Sequence, residues 1–112
     1  MDLEFASKKL RRQLSSDAEI QRMFGRLAKP LQMRLGVLKN APTLADVPRD
    51  PPVRCHLLTG DLAGHFAIVL KENWRLIFRP DHDPVPTKED QGIDLKKITA
   101  IVIEGVEDYH GN

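Results

Sequence analysis

The stretch His65-Phe66-Ala67-Ile68-Val69-Leu70-Lys71-Glu72-Asn73-Trp74-Arg75-Leu76-Ile77-Phe78-Arg79 decides the fold. Its two halves are rich in β-branched and aromatic residues, which suit a pleated, half-buried surface. Residues 65–71 and 74–79 therefore read as strands, with Glu72-Asn73 turning the chain. So short a connection implies antiparallel pairing. Period-2 alternation puts Arg75 and Arg79 on one face with Ile77 between them. Trp74, Leu76 and Phe78 then face the other side and pack under whatever covers the sheet.

Working outward, residues 53–58 read as a strand that enters the turn Thr59-Gly60-Asp61. Residues 98–106 form a β-branched run and a further strand. Upstream, Leu3 and Phe5 alternate with polar residues, which suits a short first strand. Ser7 can cap a short helix through Leu14, and Asp17 is a better cap for the next. Ile20, Met23, Phe24, Leu27, Leu31, Leu35 and Leu38 follow at steps of three and four, one apolar helical face. Arg22, Arg26, Lys29 and Arg34 fall largely on the opposite side. Pro30 either kinks one helix or sits in the first turn of a second. Two proline-rich segments, one with Pro42, Pro48, Pro51 and Pro52 and one with Pro80, Pro84 and Pro86, read as loops. The expected architecture is a single α+β domain over 1–112. A mainly helical part, 1–40, packs as a hairpin or bent helix on one face of a small, mostly antiparallel sheet within 53–110.

The composition fits that picture. The chain has 112 residues, 41% hydrophobic and 29% charged, with a formal net charge of +1. This is the balance of a globular domain, not of a disordered chain. No apolar run approaches a membrane span, no signal-peptide core opens the chain, and Cys55 has no disulfide partner, so a cytoplasmic location is expected. The net charge hides an asymmetry. Residues 1–40 hold nine Lys/Arg against four Asp/Glu, and residues 80–112 hold three against eight. Two readings stand: solvated faces that attract each other, or a basic surface open to a polyanion.

Phosphate loops, dinucleotide fingerprints, zinc spacings and nucleophile elbows are all missing, so neither cofactor nor metal is expected. His82, between Asp81 and Asp83, reads as part of a proline-flanked turn rather than a metal ligand. His65 reads as a packing or surface residue, and Cys55 as a small buried thiol. The remaining groups are His56, Arg75, Arg79, Tyr109 and His110. A sheet face with two arginines either meets an anion or pairs with the acidic C-terminal third. A Tyr-His pair so near the chain end is either a frayed terminus or part of a site. Taken together, His56, Arg75 and His110 supply what RNA cleavage without a metal needs: a base for the 2′-hydroxyl, an acid for the leaving 5′-oxygen, and a cation for the charged phosphorane.

At these residues the chain resembles a known family. Arg54-Cys55-His56-Leu57-Leu58-Thr59-Gly60-Asp61, Gly64-His65-Phe66-Ala67, Asn73-Trp74-Arg75-Leu76-Ile77-Phe78 and Glu107-Asp108-Tyr109-His110 resemble the RelE/HigB-type toxins of bacterial toxin–antitoxin modules. The resemblance is strongest over 53–79 and 98–110. It implies the same α+β fold and ribosome-dependent cleavage of messenger RNA. It also implies control by a cognate antitoxin, expected to be a helix-turn-helix protein through which alone operator DNA would be contacted. By resemblance, Arg75 contacts the phosphate, His56 and His110 transfer protons, Tyr109 stacks on a base or orients the phosphate, and Asp108 belongs to the C-terminal active residues. Lys71 and Arg79 are expected to bind RNA.

The chain departs from the family pattern beside the expected site. Where family members carry a lysine before the Gly-Asp turn it has Thr59, and where the turn is basic it has Leu62-Ala63. Each lost contact to developing charge costs ~2–4 kcal/mol of transition-state stabilisation. The departure keeps two other readings open. One is a weakly active or inactive toxin-like module that mainly binds its antitoxin and co-regulates the operon. The other is a gyrase inhibitor of the related ParE branch, against which the terminal Asp-Tyr-His speaks.

Overall fold

The computed structural model describes residues 1–109. Five strands form one sheet: β1 (Asp2–Phe5), β2 (His56–Leu57), β3 (Phe66–Lys71), β4 (Trp74–Pro80) and β5 (Ala100–Asp108). Their order across the sheet is β1-β5-β4-β3-β2. β1 runs parallel to β5, and the other three pairings are antiparallel. The three α-helices are α1 (Lys8–Gln13), α2 (Asp17–Phe24) and α3 (Ala28–Asn40). Among the described residues, no helix is long and apolar enough to cross a membrane.

The β3–β4 hairpin forms where its residues predict. Glu72 takes the left-handed backbone of the turn, with φ 54°. Phe66 and Phe78 face each other across the ladder and stack, with centroids 5.8 Å apart. Phe66, Ile68, Leu70, Leu76, Phe78, Ile101 and Ile103 give the sheet one apolar face, which packs on Leu31, Leu35 and Leu38 of α3. Excluding these side chains from water drives the two layers together. The opposite face has a smaller apolar cluster of Leu58, Ala67 and Ile77, with Leu62 and Tyr109 packed against it. Alternation along β4 thus separates Leu76 and Phe78 from Ile77, as the period-2 reading requires.

The helices follow their local signals, with corrections. Ser7 caps α1 through its side chain. Ser16, not Asp17, caps α2, and Asp17 is the first helical residue, where its charge suits the helix dipole. A 3-10 turn at Gly25–Leu27 separates α2 from α3, and Pro30 sits in the first turn of α3, the second of its two expected positions. Arg34 departs from the basic outer face to which it was assigned. It is buried, and its Nε donates to the Val69 carbonyl at 2.9 Å. It shares a helical face with Leu31, Leu35 and Leu38 at spacings that fit that face equally well.

Four strands also differ in their bounds from expectation, β3 by starting at Phe66 rather than His65. The strand expected over 53–58 contracts to His56–Leu57, because Arg54 has φ 51° and cannot continue a ladder. Pro80 is the last residue of β4 rather than part of the loop, paired with Ile101. The last strand begins at Ala100 and runs on to Asp108.

Candidate active site

β2 is an edge strand of two residues, His56 opposite Ala67 and Leu57 opposite Phe66 of β3. The loop before it is closed by its own backbone. Arg54 N–H donates to the Asp50 carbonyl and Cys55 N–H to the Pro48 carbonyl, both at 3.0 Å. Val69 N–H then ties the loop to β3 through the Val53 carbonyl at 2.9 Å. These bonds hold His56 against β3. Its Nδ1 lies 2.7 Å from the Arg54 carbonyl oxygen. A carbonyl only accepts, so Nδ1 carries the proton and a neutral ring keeps Nε2 as its basic nitrogen.

Arg75 lies in β4 between Val69 of β3 and Glu107 of β5. Its Nη1 donates to the carbonyls of Glu72 at 2.6 Å and Trp74 at 3.1 Å, which anchors the guanidinium beside the hairpin turn. No carboxylate among the described residues forms an ion pair with it. Tyr109 follows β5. Its N–H donates to the Asn73 carbonyl at 2.9 Å, and it packs on the Leu58, Ala67 and Ile77 cluster.

These three segments converge. A cleft of about 340 Å³ is lined by Arg49, Arg54, Cys55, His56, Val69, Arg75 and Tyr109. None of these is acidic, and three are arginines. His56, Arg75 and Tyr109 were expected site residues, whereas Arg49 was not, and Arg54 stood in a resembling stretch without a role assigned to it. The signal was weak for Arg49, a single arginine in a proline-rich loop; for Arg54 it was the resembling stretch that opens two residues before His56. Cys55 is the buried thiol expected. Burial pushes its pKa up to about 11, against the pull of the Arg49 charge, so it stays protonated near neutral pH.

Of the other expected residues, the described ones, Arg79, Lys71 and Asp108, do not line this cleft. Arg79 shares the sheet face of Arg75, but its Nε donates to Glu104 Oε1 at 2.7 Å. For Arg79, then, the structure has the ion pair with the acidic third. Lys71 is exposed at the end of β3. Asp108 is exposed at the end of β5, opposite Trp74. His110 lies outside the described residues. Thr59 precedes a helical turn over Gly60–Leu62, and Leu62 covers the same cluster as Tyr109. The apolar residue in the turn thus has a packing partner. His82 accepts the Thr99 N–H at 3.1 Å, which gives it a structural role. Among the described residues, no three His, Cys, Asp or Glu side chains are grouped to hold a metal.

With this geometry in view, the chain's relatives can be placed. The model of the HigB-like toxin family, described as the RelE-like toxin of the type II toxin–antitoxin system HigB, matches residues 3–87. No curated protein matches the sequence. Among solved structures, a YoeB/ParE toxin from Agrobacterium tumefaciens is 14% identical and superposes with a TM-score of 0.53. That match covers 98% of this chain and 100% of the toxin. A mutant of YafQ from E. coli is 16% identical with a TM-score of 0.54, over 94% of this chain and 89% of its own. At these identities the two structures bear on the fold, and it is the same α+β fold.

Proposed function

The chain belongs to the HigB-like family of RelE-like toxins of type II toxin–antitoxin systems, and from that premise we propose that it is an endoribonuclease cutting messenger RNA on the ribosome. The observation that carries this reading is the cleft. His56, Arg75 and Tyr109 come from three separate segments and line one cavity whose lining among the described residues holds three arginines and no carboxylate. A phosphodiester in such a site meets a lining with positive charge and no carboxylate.

The chemistry follows from the side chains. His56 Nε2 takes the proton of the 2′-hydroxyl, and its Nδ1–H stays on the Arg54 carbonyl, which sets the ring's orientation. The O2′–P bond forms, and negative charge grows on the non-bridging oxygens, where the Arg75 guanidinium stabilises it. The P–O5′ bond breaks, and His110, next after Tyr109, gives its proton to the leaving O5′. The products are a 2′,3′-cyclic phosphate and a 5′-hydroxyl. Tyr109 orients the phosphate or stacks on a neighbouring base, and Asp108 supports the C-terminal segment.

A type II toxin implies an antitoxin. Here it is a cognate helix-turn-helix protein that covers the cleft or keeps the chain off the ribosome, and it makes the contacts to operator DNA. The test is cleavage of a defined message on purified ribosomes. Arg75→Ala and His110→Ala should each lose at least about a hundredfold in rate, and co-purified antitoxin should suppress the wild type. Undiminished cleavage in both variants would remove these residues from the site. Intact messages together with DNA-damage signalling on expression would favour gyrase inhibition instead.

A further inference from the structure

We infer that Arg49 and Arg54 form a second phosphate-holding arm of the cleft, on the β2 side and separate from Arg75. This rests on the endoribonuclease reading above and extends it to residues outside the expected set. The two arginines would hold phosphates of the RNA strand that flank the one at Arg75.

Three observations carry it. First, the arginines away from the cleft, exposed Arg12 excepted, are spent on internal partners. Arg11 pairs with Glu4, Arg22 with Glu19, Arg26 with Glu72 and Arg79 with Glu104, and buried Arg34 bonds a carbonyl. Arg49, Arg54 and Arg75 form no ion pair among the described residues, and all three line the same cavity. Like charges gathered without counter-charge repel, and an anion in the cleft relieves that repulsion. Second, Arg54 adopts φ 51°, a left-handed conformation that costs a non-glycine residue energy. Two backbone bonds of the loop, Arg54 to Asp50 and Cys55 to Pro48, hold it there. The same turn directs the Arg54 carbonyl to His56 Nδ1, so one strained residue both sets the histidine and lines the cleft. Third, Arg49 also lines the apolar slot between Val47 and Phe66 and the shallow groove beside Lys96. It stands where three depressions meet, so a strand crossing from one to the next passes its guanidinium.

This arm accounts for the chain's departure at the turn. Thr59, Leu62 and Ala63 leave that side of the site without positive charge, and Leu62 is spent on packing beside Tyr109. The positive charge comes instead from the proline-rich loop before β2.

The experiment measures single-turnover cleavage of a ribosome-bound message across toxin concentrations, separating half-saturation from maximal rate. A contact to flanking phosphates acts equally on ground and transition states. Arg49→Ala and Arg54→Ala should therefore each raise the half-saturating concentration about tenfold, with maximal rate within threefold of wild type. Arg75→Ala should instead lose maximal rate. Arg49→Lys and Arg54→Lys should recover most of the affinity, because phosphate contact needs mainly the charge. Arg54→Gly relieves the backbone and keeps the fold, yet should bind as weakly as Arg54→Ala. Arg11→Gln, far from the cleft and paired with Glu4, serves as the unaffected control. Half-saturation within twofold of wild type in both alanine variants and in the double variant, with Arg75→Ala still impaired, would overturn the arm and leave the endoribonuclease reading standing. A wild type that cleaves no message would overturn both.

Discussion

Arg34 gives the sharpest test of how the fold supports the cleft. It is the one charged or polar residue buried among the described residues, and its Nε bonds the Val69 carbonyl at 2.9 Å. Val69 lines the cleft, faces Arg75 across the ladder, and precedes the irregularity between Val69 and Lys71. Its N–H is committed to Val53, so Arg34 satisfies the group that helps seat the loop of His56. In Arg34→Met the buried carbonyl loses a charge-assisted bond, a cost of about 1.5–3 kcal/mol. Removing a buried guanidinium returns part of that, because the charge no longer needs desolvating. The net loss should be about 1–2 kcal/mol. Arg34→Ala also removes the aliphatic stem that packs under the sheet, and should lose about 3–4 kcal/mol in all. Small domains are stable by only about 5–15 kcal/mol, so the alanine variant approaches the margin. Urea denaturation followed by circular dichroism measures this, with an unchanged slope showing that the unfolded reference is the same. Both variants within about 0.5 kcal/mol of wild type, or methionine worse than alanine, would refute the view that Arg34 joins helix to strand through that carbonyl.

Three further outcomes can be checked. Thr59 is exposed and makes no side-chain capping bond, so Thr59→Lys should fold as well as wild type and raise cleavage of ribosome-bound message severalfold. Leu62→Lys should instead lose about 1 kcal/mol of stability in the same urea titration, because Leu62 packs on the Leu58, Ala67 and Ile77 cluster. Cys55 should make stability depend on alkaline pH. Its pKa is raised from an ordinary value of 9.0 to about 11, so its contribution is fully present below pH 9 and is lost as pH rises toward 11. The total is roughly 3 kcal/mol, and the difference between wild-type and Cys55→Ala denaturation curves over that range should show it.

Legibility differed from element to element. The β3–β4 hairpin was readable because its apolar residues, its turn and its facing phenylalanines are neighbours in sequence and act on one another locally. At α3 the sequence narrowed Pro30 to a kink or a first turn, and the structure has the second. Arg34 was misplaced because helical spacing fits it to either side of α3, and only the strand lying beneath offers the acceptor. The contraction of the strand expected over 53–58 was hidden as well. The left-handed turn at Arg54 is imposed by carbonyls of its own loop, which nothing in a run of Val, Arg, Cys, His and Leu announces.

The candidate site divides in the same way. Sequence alone determined most of the elements and the two faces of β4, and it singled out His56, Arg75 and Tyr109 as candidates, since alternation and side-chain chemistry are properties of a short stretch of chain. Only tertiary structure decided which cations share a cavity with them. The order β1-β5-β4-β3-β2 sets β2 beside β3 and β5 beside β4, which brings Arg49, Arg54, His56 and Tyr109 to one cleft with Arg75. It also brings Glu104 to Arg79, whereas Arg49, Arg54 and Arg75 are left without a carboxylate partner among the described residues. Convergence of this kind depends on pairing order and register between segments far apart in sequence, and no local pattern contains it.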